Sequence, residues 1–426
     1  MTTLDLNRLI DRSVNGGTER LPLMEDALRV RKLPAAGPPS WWRDRFRLLA
    51  TAGVTSLRVA LGPAPGLGSP TVVLLPGRGE NLESRRNFLR RHFGLESDRL
   101  GRRSARRPRG RAPADWWLWW LRGVAWALLA LADRSEHRYS WLGDALIDMQ
   151  LYKRLENEIE HVYVFALYDR RQYLLLTFLA RHTRLEVTAV YHPIPLARNC
   201  RHLHVPVPVV ITSKVNLCEV DYYRAKGCFL PQSVAYASQE FMADAHDLEP
   251  HAALFDIGYY SSGEWARRDG LYLVTDLERI RRGDDAGNPY ARAAAAQLEA
   301  LVAFALREHR TLRIYPHPFE RRLMARGIDL PYAAIVDGET VTIDDSGEPS
   351  SRRTMYDVRV AVSLQSSFIW ERLDRGLDDS FLHEFDDPTM NVFERAALGR
   401  YAENVCRGSD ELIARVEAAL ERTHAG

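Results

Sequence analysis

The sequence contains very little cysteine. Its four cysteines in 426 residues are Cys200, Cys218, Cys228 and Cys406. Their spacing is irregular and no two form a Cys-x-x-Cys pair, which excludes a disulfide-stabilised secreted scaffold. The start of the chain carries charges such as Asp5 and Arg8 and has no apolar core of signal-peptide length. We therefore expect a cytoplasmic protein.

Motifs of several common enzyme classes are also missing. The chain has no His-Glu-x-x-His, no Gly-Lys-Ser/Thr and no Gly-x-Ser-x-Gly string, which are the signatures of zinc hydrolases, phosphate-loop ATPases and serine hydrolases. The turn Gly77-Arg78-Gly79 is too short for a dinucleotide fingerprint. His202 and His204 alternate along a strand-like run without carboxylates beside them. We expect a reaction that needs neither a metal ion nor another cofactor.

Net charge is almost absent, since 58 Lys and Arg residues oppose 56 Asp and Glu residues to give +2. A chain so balanced has no global field that attracts nucleic acid, and we expect no nucleic-acid partner. The exception is local. Six arginines without an intervening acid occupy residues 102–111.

A long apolar run is the last missing feature. The most apolar stretch, Trp116 to Ala132, contains five tryptophans and the charged Arg122, and it is short for a membrane-spanning helix. Tryptophan beside arginine is typical of a helix in the membrane interface, so residues 102–132 are predicted to touch the inner membrane peripherally. A buried core helix flanked by a solvated basic loop is the alternative.

The length and the pattern of the chain indicate two α/β domains. Helical and strand-like segments alternate, as in doubly wound parallel sheets, with N-terminal strands predicted from Thr55 and from Thr71. We place one Rossmann-type domain at residues 1–235, with an Arg/Trp-rich insertion at about 100–132, and a second at 236–426. Ligands of such sheets bind at the carboxyl ends of the strands.

One strand end carries a rigid histidine turn. The strand-like run Thr311 to Tyr315 leads directly into Pro316-His317-Pro318, where two prolines fix the backbone on both sides of the imidazole. A histidine held in this way can donate a hydrogen bond to a phosphate oxygen and stabilise a leaving nucleotide. Taken alone, the turn also fits a proline-stiffened loop with an incidental histidine.

A second strand end carries two serines. A buried-type strand ends at Ser363, and a helix is predicted to begin around Ser366 and Ser367. This pattern fits a plain helix cap. The same place offers hydroxyls and free backbone N–H groups to an anion.

The two motifs together resemble those of a known enzyme family. His317-Pro318 and Ser366-Ser367, 49 residues apart, are similar in residue, order and context to the His-Pro and Ser-Ser motifs of bacterial sialyltransferases and related capsule glycosyltransferases. The resemblance implies a GT-B-like fold of two Rossmann-type domains facing across a cleft. It also implies that both motifs contact the cytidine monophosphate part of the donor. It covers about Leu312 to Gly376, and the acidic motif of the family has no clean match here.

The general base must therefore be sought among other strand-end residues. Glu80 and Asp169 are the main candidates beside His317, with Asp256 and His192 as further options, and each fits a turn or cap equally well. Further candidate contacts to the donor follow nearby strands, and Glu371 either bonds a ribose hydroxyl or pairs with Arg375 on a solvated surface. These candidates are Gly258, Tyr259, Ser261, Ser262, Glu264, Thr275, Arg321, Arg322 and Glu371.

Together these features predict a glycosyltransferase. The expected reaction moves an acidic sugar, similar to sialic acid or Kdo, from a cytidine-monophosphate donor to a glycan or glycolipid acceptor at the cell surface. Two alternatives stay open at this point. One is a polyol-phosphate transferase that uses a cytidine-diphosphate polyol, and the other is a noncatalytic membrane-associated assembly protein that keeps a transferase fold.

Overall fold

A computed structural model of the chain describes residues 41–61, 71–74, 90, 115–132, 140–165, 170–190, 209–212, 214–226, 234–236, 248–263, 289–346, 351–386 and 393–422. The chain forms two compact units. The first comprises Met1–His192, Asn199–Thr212 and Tyr223–Ala237, and the second comprises Pro193–Arg198, Ser213–Tyr222 and Ser238–Gly426. The last segment of the first unit ends at Ala237, and the second unit then runs from Ser238 to the last residue. This division lies two residues after the predicted boundary between residues 235 and 236.

The first unit contains a parallel sheet in which each described strand pairs with the next one along the chain. Its strands are β1 (Thr71–Leu74), β2 (His161–Phe165), β3 (Glu186–Val190), β4 (Val209–Thr212) and β5 (Val234–Tyr236). The strand order is therefore β1-β2-β3-β4-β5, and every pairing is parallel. The strand predicted from Thr71 is confirmed.

The second unit contains a six-stranded parallel sheet. Its strands are β6 (Phe255–Tyr260), β7 (Leu312–Tyr315), β8 (Val341–Ile343), β9 (Val358–Ser363), β10 (Ser380–Glu384) and β11 (Val405–Arg407). The order β11-β10-β9-β6-β7-β8 reverses direction between β6 and β9, which is the strand order of a doubly wound Rossmann sheet. The predicted α/β class, with two units that each contain a parallel sheet, is confirmed.

The described residues contain ten α-helices. They are α1 (Trp41–Ala50), α2 (Ser56–Leu61), α3 (Trp116–Ala132), α4 (Ser140–Leu155), α5 (Arg170–His182), α6 (Lys214–Ala225), α7 (Pro289–Arg307), α8 (Pro318–Met324), α9 (Ser367–Asp374) and α10 (Gly408–Arg422). A π-helical turn, Thr51–Thr55, joins α1 to α2. Parallel strands need such crossover helices because the chain must return to the same end of the sheet.

The strand predicted from Thr55 is wrong. Residues from Ser56 to Leu61 are helical, although Val59 and its neighbours suit a strand, because this segment packs its small residues against α4. Arg154 of α4 donates hydrogen bonds of 3.0 Å to the carbonyl oxygens of Val59 and Ala60. Tertiary packing thus overrides local propensity here.

Helix α3 corresponds to the tryptophan-rich segment. One face is buried, where Trp119 contacts the Phe178 ring edge to face at 4.8 Å and Trp126 is also enclosed. The Trp120 indole donates to the Gly53 carbonyl oxygen at 3.0 Å. Within the described residues, no helix has both the length and the apolar character to cross a membrane.

Two buried layers flank the sheet of the second unit. On one face, Ile257, Ile314 and Val362 pack against α7 and α10. On the other face, Tyr260, Tyr315 and Phe368 pack together beneath α9. Each fully buried apolar side chain of this size stabilises the fold by about 1.5–3 kcal/mol. Both layers hold the strands rigidly, and so they fix the loops at the strand ends.

We expect the substitution Gly258→Ala to destabilise the second unit. A β-carbon at Gly258 would lie 2.7 Å from Cγ1 of Val358, so the added methyl would overpack the strand and lower the free energy of unfolding by about 1–3 kcal/mol. Gly53→Ala is the matched control, since nothing lies within 4 Å of its β-carbon position. Urea unfolding measures both. Equal stability of G258A and wild type would contradict the packing role.

Candidate functional site

Three loops meet at the point where the strand order of the second sheet reverses. They follow β9, β6 and β7, which are direct neighbours in the sheet. Parallel strands all end at the same edge, and ligands of doubly wound sheets bind there, at the reversal point. The loop after β6 is central, and it contacts both of the others.

The histidine turn follows β7 as predicted. Pro316 is buried, His317 is half-buried, and Pro318 is the first residue of α8, where proline is well tolerated because that position has no hydrogen-bonding partner for its nitrogen. The His317 backbone N–H donates to Oε2 of Glu320 at 2.9 Å. This is the carboxylate half of a capping box, and it fixes the turn at the helix start.

Glu320 is completely buried, with 0% of its surface exposed. Its carboxylate accepts hydrogen bonds from the Ser261 hydroxyl at 2.8 Å, from the Tyr332 hydroxyl at 3.2 Å and from the His317 backbone. Burying an unpaired carboxylate is very unfavourable, and three donors compensate for the lost water. Glu320 therefore joins the loops after β6 and β7.

The imidazole of His317 lies against the loop after β6. A β-carbon at Gly263 would lie only 3.0 Å from Nδ1 of His317. The φ angle of Gly263 is +81°, a left-handed conformation that glycine adopts without strain. Any larger residue at position 263 would collide with the histidine ring and would be strained by the positive φ angle. The His317 ring therefore packs against this turn.

The loop after β9 is tied to the same central loop by hydroxyl groups. Ser363 donates to the Tyr260 carbonyl oxygen at 2.5 Å, and it accepts from the Ser366 backbone N–H at 3.1 Å. Its oxygen lies 3.1 Å from that of Ser262, which must be the donor because the Ser363 hydrogen is already used. Ser262 in turn accepts from the Gln365 backbone N–H at 2.9 Å.

Ser366 and Ser367 stand at the start of α9, as predicted. Ser366 is the N-cap, and its hydroxyl oxygen accepts from the Phe368 backbone N–H at 3.3 Å. Capping uses one lone pair of the hydroxyl and leaves its hydrogen to donate elsewhere. The positive end of the helix dipole and the Ser366 hydroxyl therefore lie at this edge of the sheet.

Aromatic rings form the floor beneath these loops. The rings of Tyr260 and Tyr315 stack at 4.5 Å with an angle of 6° between their planes, and Phe368 of α9 lies 4.2 Å from Tyr260. Burial raises the pKa of both tyrosines far above its usual value, so their hydroxyls are neutral at physiological pH. The floor links the first turn of α9 to β6 and β7.

Helix α9 is locked to the sheet by a buried arginine. Arg372 donates to Oγ of Ser380 at 2.9 Å and to carbonyl oxygens of the chain before and within β9, including that of Met355. Burial lowers its pKa. Glu371 beside it is 1% exposed, so the predicted alternative of a solvated surface pair is wrong. Arg375 instead donates to the Tyr356 hydroxyl at 2.7 Å.

Arg321 supports the histidine turn from below. Its guanidinium donates to the Pro316 carbonyl oxygen at 3.1 Å and forms an ion pair with the buried Asp344. Burial alone raises the pKa of Asp344, but the hydrogen bonds and charge of Arg321 lower it below the usual value. The predicted role of Arg321 in binding phosphate is therefore corrected to a bracing role.

Three other predicted residues belong to the scaffold. Asp256 lies near the amino end of β6, the opposite edge from the loops, where it accepts from the Thr311 backbone at 3.0 Å and from Arg359 at 3.2 Å. Tyr259 is buried in the core. Gly258 lies inside β6, where the side chain of Val358 fills the space beside it. None of the three is placed to touch a ligand at the carboxyl edge.

The proposed general bases lie outside the described residues. This applies to Glu80, Asp169 and His192, and to the candidate donor contacts Glu264 and Thr275. Within the part of the chain that the structure describes, no three His, Cys, Asp or Glu residues form a group suited to a metal ion.

The two residues that organise the site were not predicted. Glu320 stands three residues after His317, and this spacing is the local signal of a capping box. Ser363 was recognised only as the end of a strand. Its hydrogen bonds to Tyr260 and Ser262 depend on the pairing of β6 with β9, which brings together residues about a hundred positions apart.

We expect Glu320→Gln to destabilise the second unit by about 2 kcal/mol, because the amide N–H group would face hydroxyl and backbone donors in a buried place. The exposed Glu308, paired with Arg307 at 2.7 Å, is the control, and Glu308→Gln should change the stability by less than about 0.5 kcal/mol. Urea unfolding monitored by fluorescence measures both values. A neutral E320Q would refute the central role of this carboxylate.

No protein-family model matches the sequence, and no curated protein matches it. Among solved structures, the chain is similar to the UDP-GlcNAc 2-epimerase from Methanocaldococcus jannaschii, with a TM-score of 0.42 and 8% sequence identity over 82% of this chain and 91% of that chain. The fold of this chain is therefore described from its own two parallel sheets.

Proposed function

We propose that the protein is a glycosyltransferase whose second unit binds the phosphate of a nucleotide-activated sugar at the carboxyl edge of β6, β7 and β9. The observation that carries this proposal is the convergence of three loops on one place. Ser262 contacts the serine loop, and Gly263 contacts the His317 ring. Two sequence motifs that are far apart in the chain thus share one neighbour.

Several features of this place suit a phosphate. The N-terminus of α9 supplies a positive dipole end, and Ser366 and Ser367 supply hydroxyl donors. The His317 ring adds a nitrogen donor at the end of β7, on the other side of β6. The nearby carboxylate of Glu320 is buried, and its oxygens accept hydrogen bonds from three donors. Its negative charge is therefore directed to these donors and not towards a bound anion.

The role of His317 follows from its rigid mounting. In glycosyl transfer the bond from the sugar carbon to the donor phosphate breaks, and negative charge develops on the departing phosphate oxygen. A hydrogen bond from a fixed imidazole stabilises that charge without reorganisation at the moment of reaction. The acceptor hydroxyl must lose its proton to a base, and Glu80 and Asp169 are our candidates for that role.

For the donor, we propose a cytidine-monophosphate ester of an acidic sugar similar to sialic acid or Kdo, without a metal ion or other cofactor. The support is the sequence resemblance of the His-Pro and Ser-Ser motifs together with their positions after β7 and β9, on either side of β6. A cytidine-diphosphate polyol is the alternative donor, because its phosphates would use the same helix terminus. The acceptor in both cases would be a surface glycan or glycolipid.

Calorimetric titration tests the nucleotide site. We expect CMP to bind more tightly than UMP, GMP or AMP, and His317→Ala to weaken CMP binding by about tenfold to a hundredfold, because a hydrogen bond to a charged group is lost. The control is His251→Ala, since His251 precedes β6 at the opposite edge and is exposed. If none of the four nucleotides binds, the transferase proposal fails. Incubation with CMP-sugar and CDP-polyol donors then distinguishes the two reactions by their products.

Ser366→Asp separates helix capping from phosphate binding. Aspartate is as good an N-cap as serine, so the midpoint of thermal unfolding should stay close to the wild-type value. Its negative charge would repel the donor phosphate, so we expect CMP affinity to fall by at least about tenfold. Ser366→Ala should lose roughly 1 kcal/mol of stability in the same assay. Unchanged CMP affinity in S366D would mean that the serine is only a cap.

A further inference from the structure

We propose that the exposed face formed by α1, the π-helical turn, α2 and α3 binds the surface of an anionic lipid bilayer. We call these helical segments, residues 41–61 and 116–132, the helical face. This inference does not depend on the chemistry of the second unit. It rests on the concentration of exposed apolar side chains on this face and on the positive charge of the arginines among them.

Exposed apolar side chains are concentrated on this face. Of the nine large hydrophobic side chains that are exposed in the described residues, seven belong to it. They are Phe46, Val54, Leu61, Trp117, Leu118, Leu121 and Leu128. Single exposed hydrophobic residues are common, but a concentration of this kind marks a contact surface.

On α3 the exposed residues form one stripe. Trp117, Leu121 and Leu128 are 47%, 46% and 50% exposed, and their spacing of four and seven places them on the same side of the helix. The opposite side is buried, with Trp119 and Trp126 almost completely enclosed. Only one side of α3 can therefore meet lipid, which favours a helix lying in the plane of the interface.

The segment 41–61 continues this surface. The Trp120 indole donates to the Gly53 carbonyl oxygen, and the exposed Val54 follows directly. Within 41–61 the exposed residues are apolar, arginine or threonine. They are Arg43, Phe46, Arg47, Ala50, Val54, Thr55, Arg58 and Leu61. A helix that presents arginines among apolar residues suits the boundary between headgroups and acyl chains.

The charge of the helical face has one sign. Its exposed charged residues are Arg43, Arg47, Arg58 and Arg122, and no exposed residue of the two segments is acidic. Asp44 has 14% of its side chain exposed, and Asp115, just before α3, pairs with Lys153 at 3.0 Å. Arginines attract anionic lipid headgroups.

An anionic bilayer fits this surface better than a second copy of the chain. In a symmetric dimer each surface meets itself, so the four arginines would face four others across the interface. Like charges brought together in this way oppose association. Headgroups of phosphatidylglycerol would instead neutralise them, while the tryptophan and leucines enter the acyl boundary.

Co-sedimentation of the full chain with vesicles tests the proposal. We expect binding to vesicles of phosphatidylcholine mixed with phosphatidylglycerol, weaker binding to phosphatidylcholine alone, and weakening by salt. Leu121→Glu with Leu128→Glu should reduce binding at least about tenfold, because two charges would enter the apolar boundary. Arg43→Gln and Arg47→Gln should each reduce it about fivefold.

Leu306→Glu is the matched control, because Leu306 on α7 is 48% exposed but belongs to the second unit. It should bind vesicles like the wild type, and circular dichroism should give wild-type unfolding midpoints for all variants. The proposal is overturned if the wild type does not bind anionic vesicles, or if L121E/L128E binds as well as the wild type. It is also overturned if light scattering reveals a dimer that L121E/L128E dissociates.

Discussion

The site depends on one buried carboxylate. Glu320 has no exposed surface, and three hydrogen bonds from two loops and a tyrosine surround it. A carboxylate in such a place tolerates little movement of its donors, since each lost donor leaves buried charge without compensation. The His317 backbone and Ser261 are therefore held at fixed positions. Rigidity of this kind lets an imidazole stabilise developing charge without paying for reorientation.

The reversal of strand order explains why the serine motif joins the histidine turn. Because β6 lies between β9 and β7, the residues that follow it touch both neighbouring loops. Ser363 is saturated by its hydrogen bonds to Tyr260, Ser262 and Ser366, so it serves the architecture. Ser366, whose hydroxyl oxygen caps the helix, still has its hydrogen to donate. Of these two serines, Ser363 thus holds the loops together, and Ser366 keeps a hydroxyl donor at the strand ends.

The sequence predicted the parts of the second unit that carry strong local signals. The strand β7, the end of β9 and the start of α9 lie where the apolar runs and the serine signal placed them. Asp256 was misplaced because apolar residues flank it on both sides, and only the pairing with Thr311 and Arg359 shows that β6 begins there. The segment after Thr55 was predicted to be a strand because Thr55 and Val59 are β-branched and a glycine ends the run. Its hydrogen bonds to Arg154 come from a helix almost a hundred residues away.

For the proposed transferase, four carboxylates of the second unit can be excluded as the general base. Glu320 is enclosed by donors and cannot accept a proton from an acceptor hydroxyl without losing the bonds that hold His317. Glu371 is buried in α9, and Asp344 is held by Arg321 with a lowered pKa that makes it a poor base. Asp256 stands at the opposite edge of the sheet. Glu320 and Asp344 thus have structural tasks. For the proposed transferase, Glu80 and Asp169 therefore stay the candidate bases.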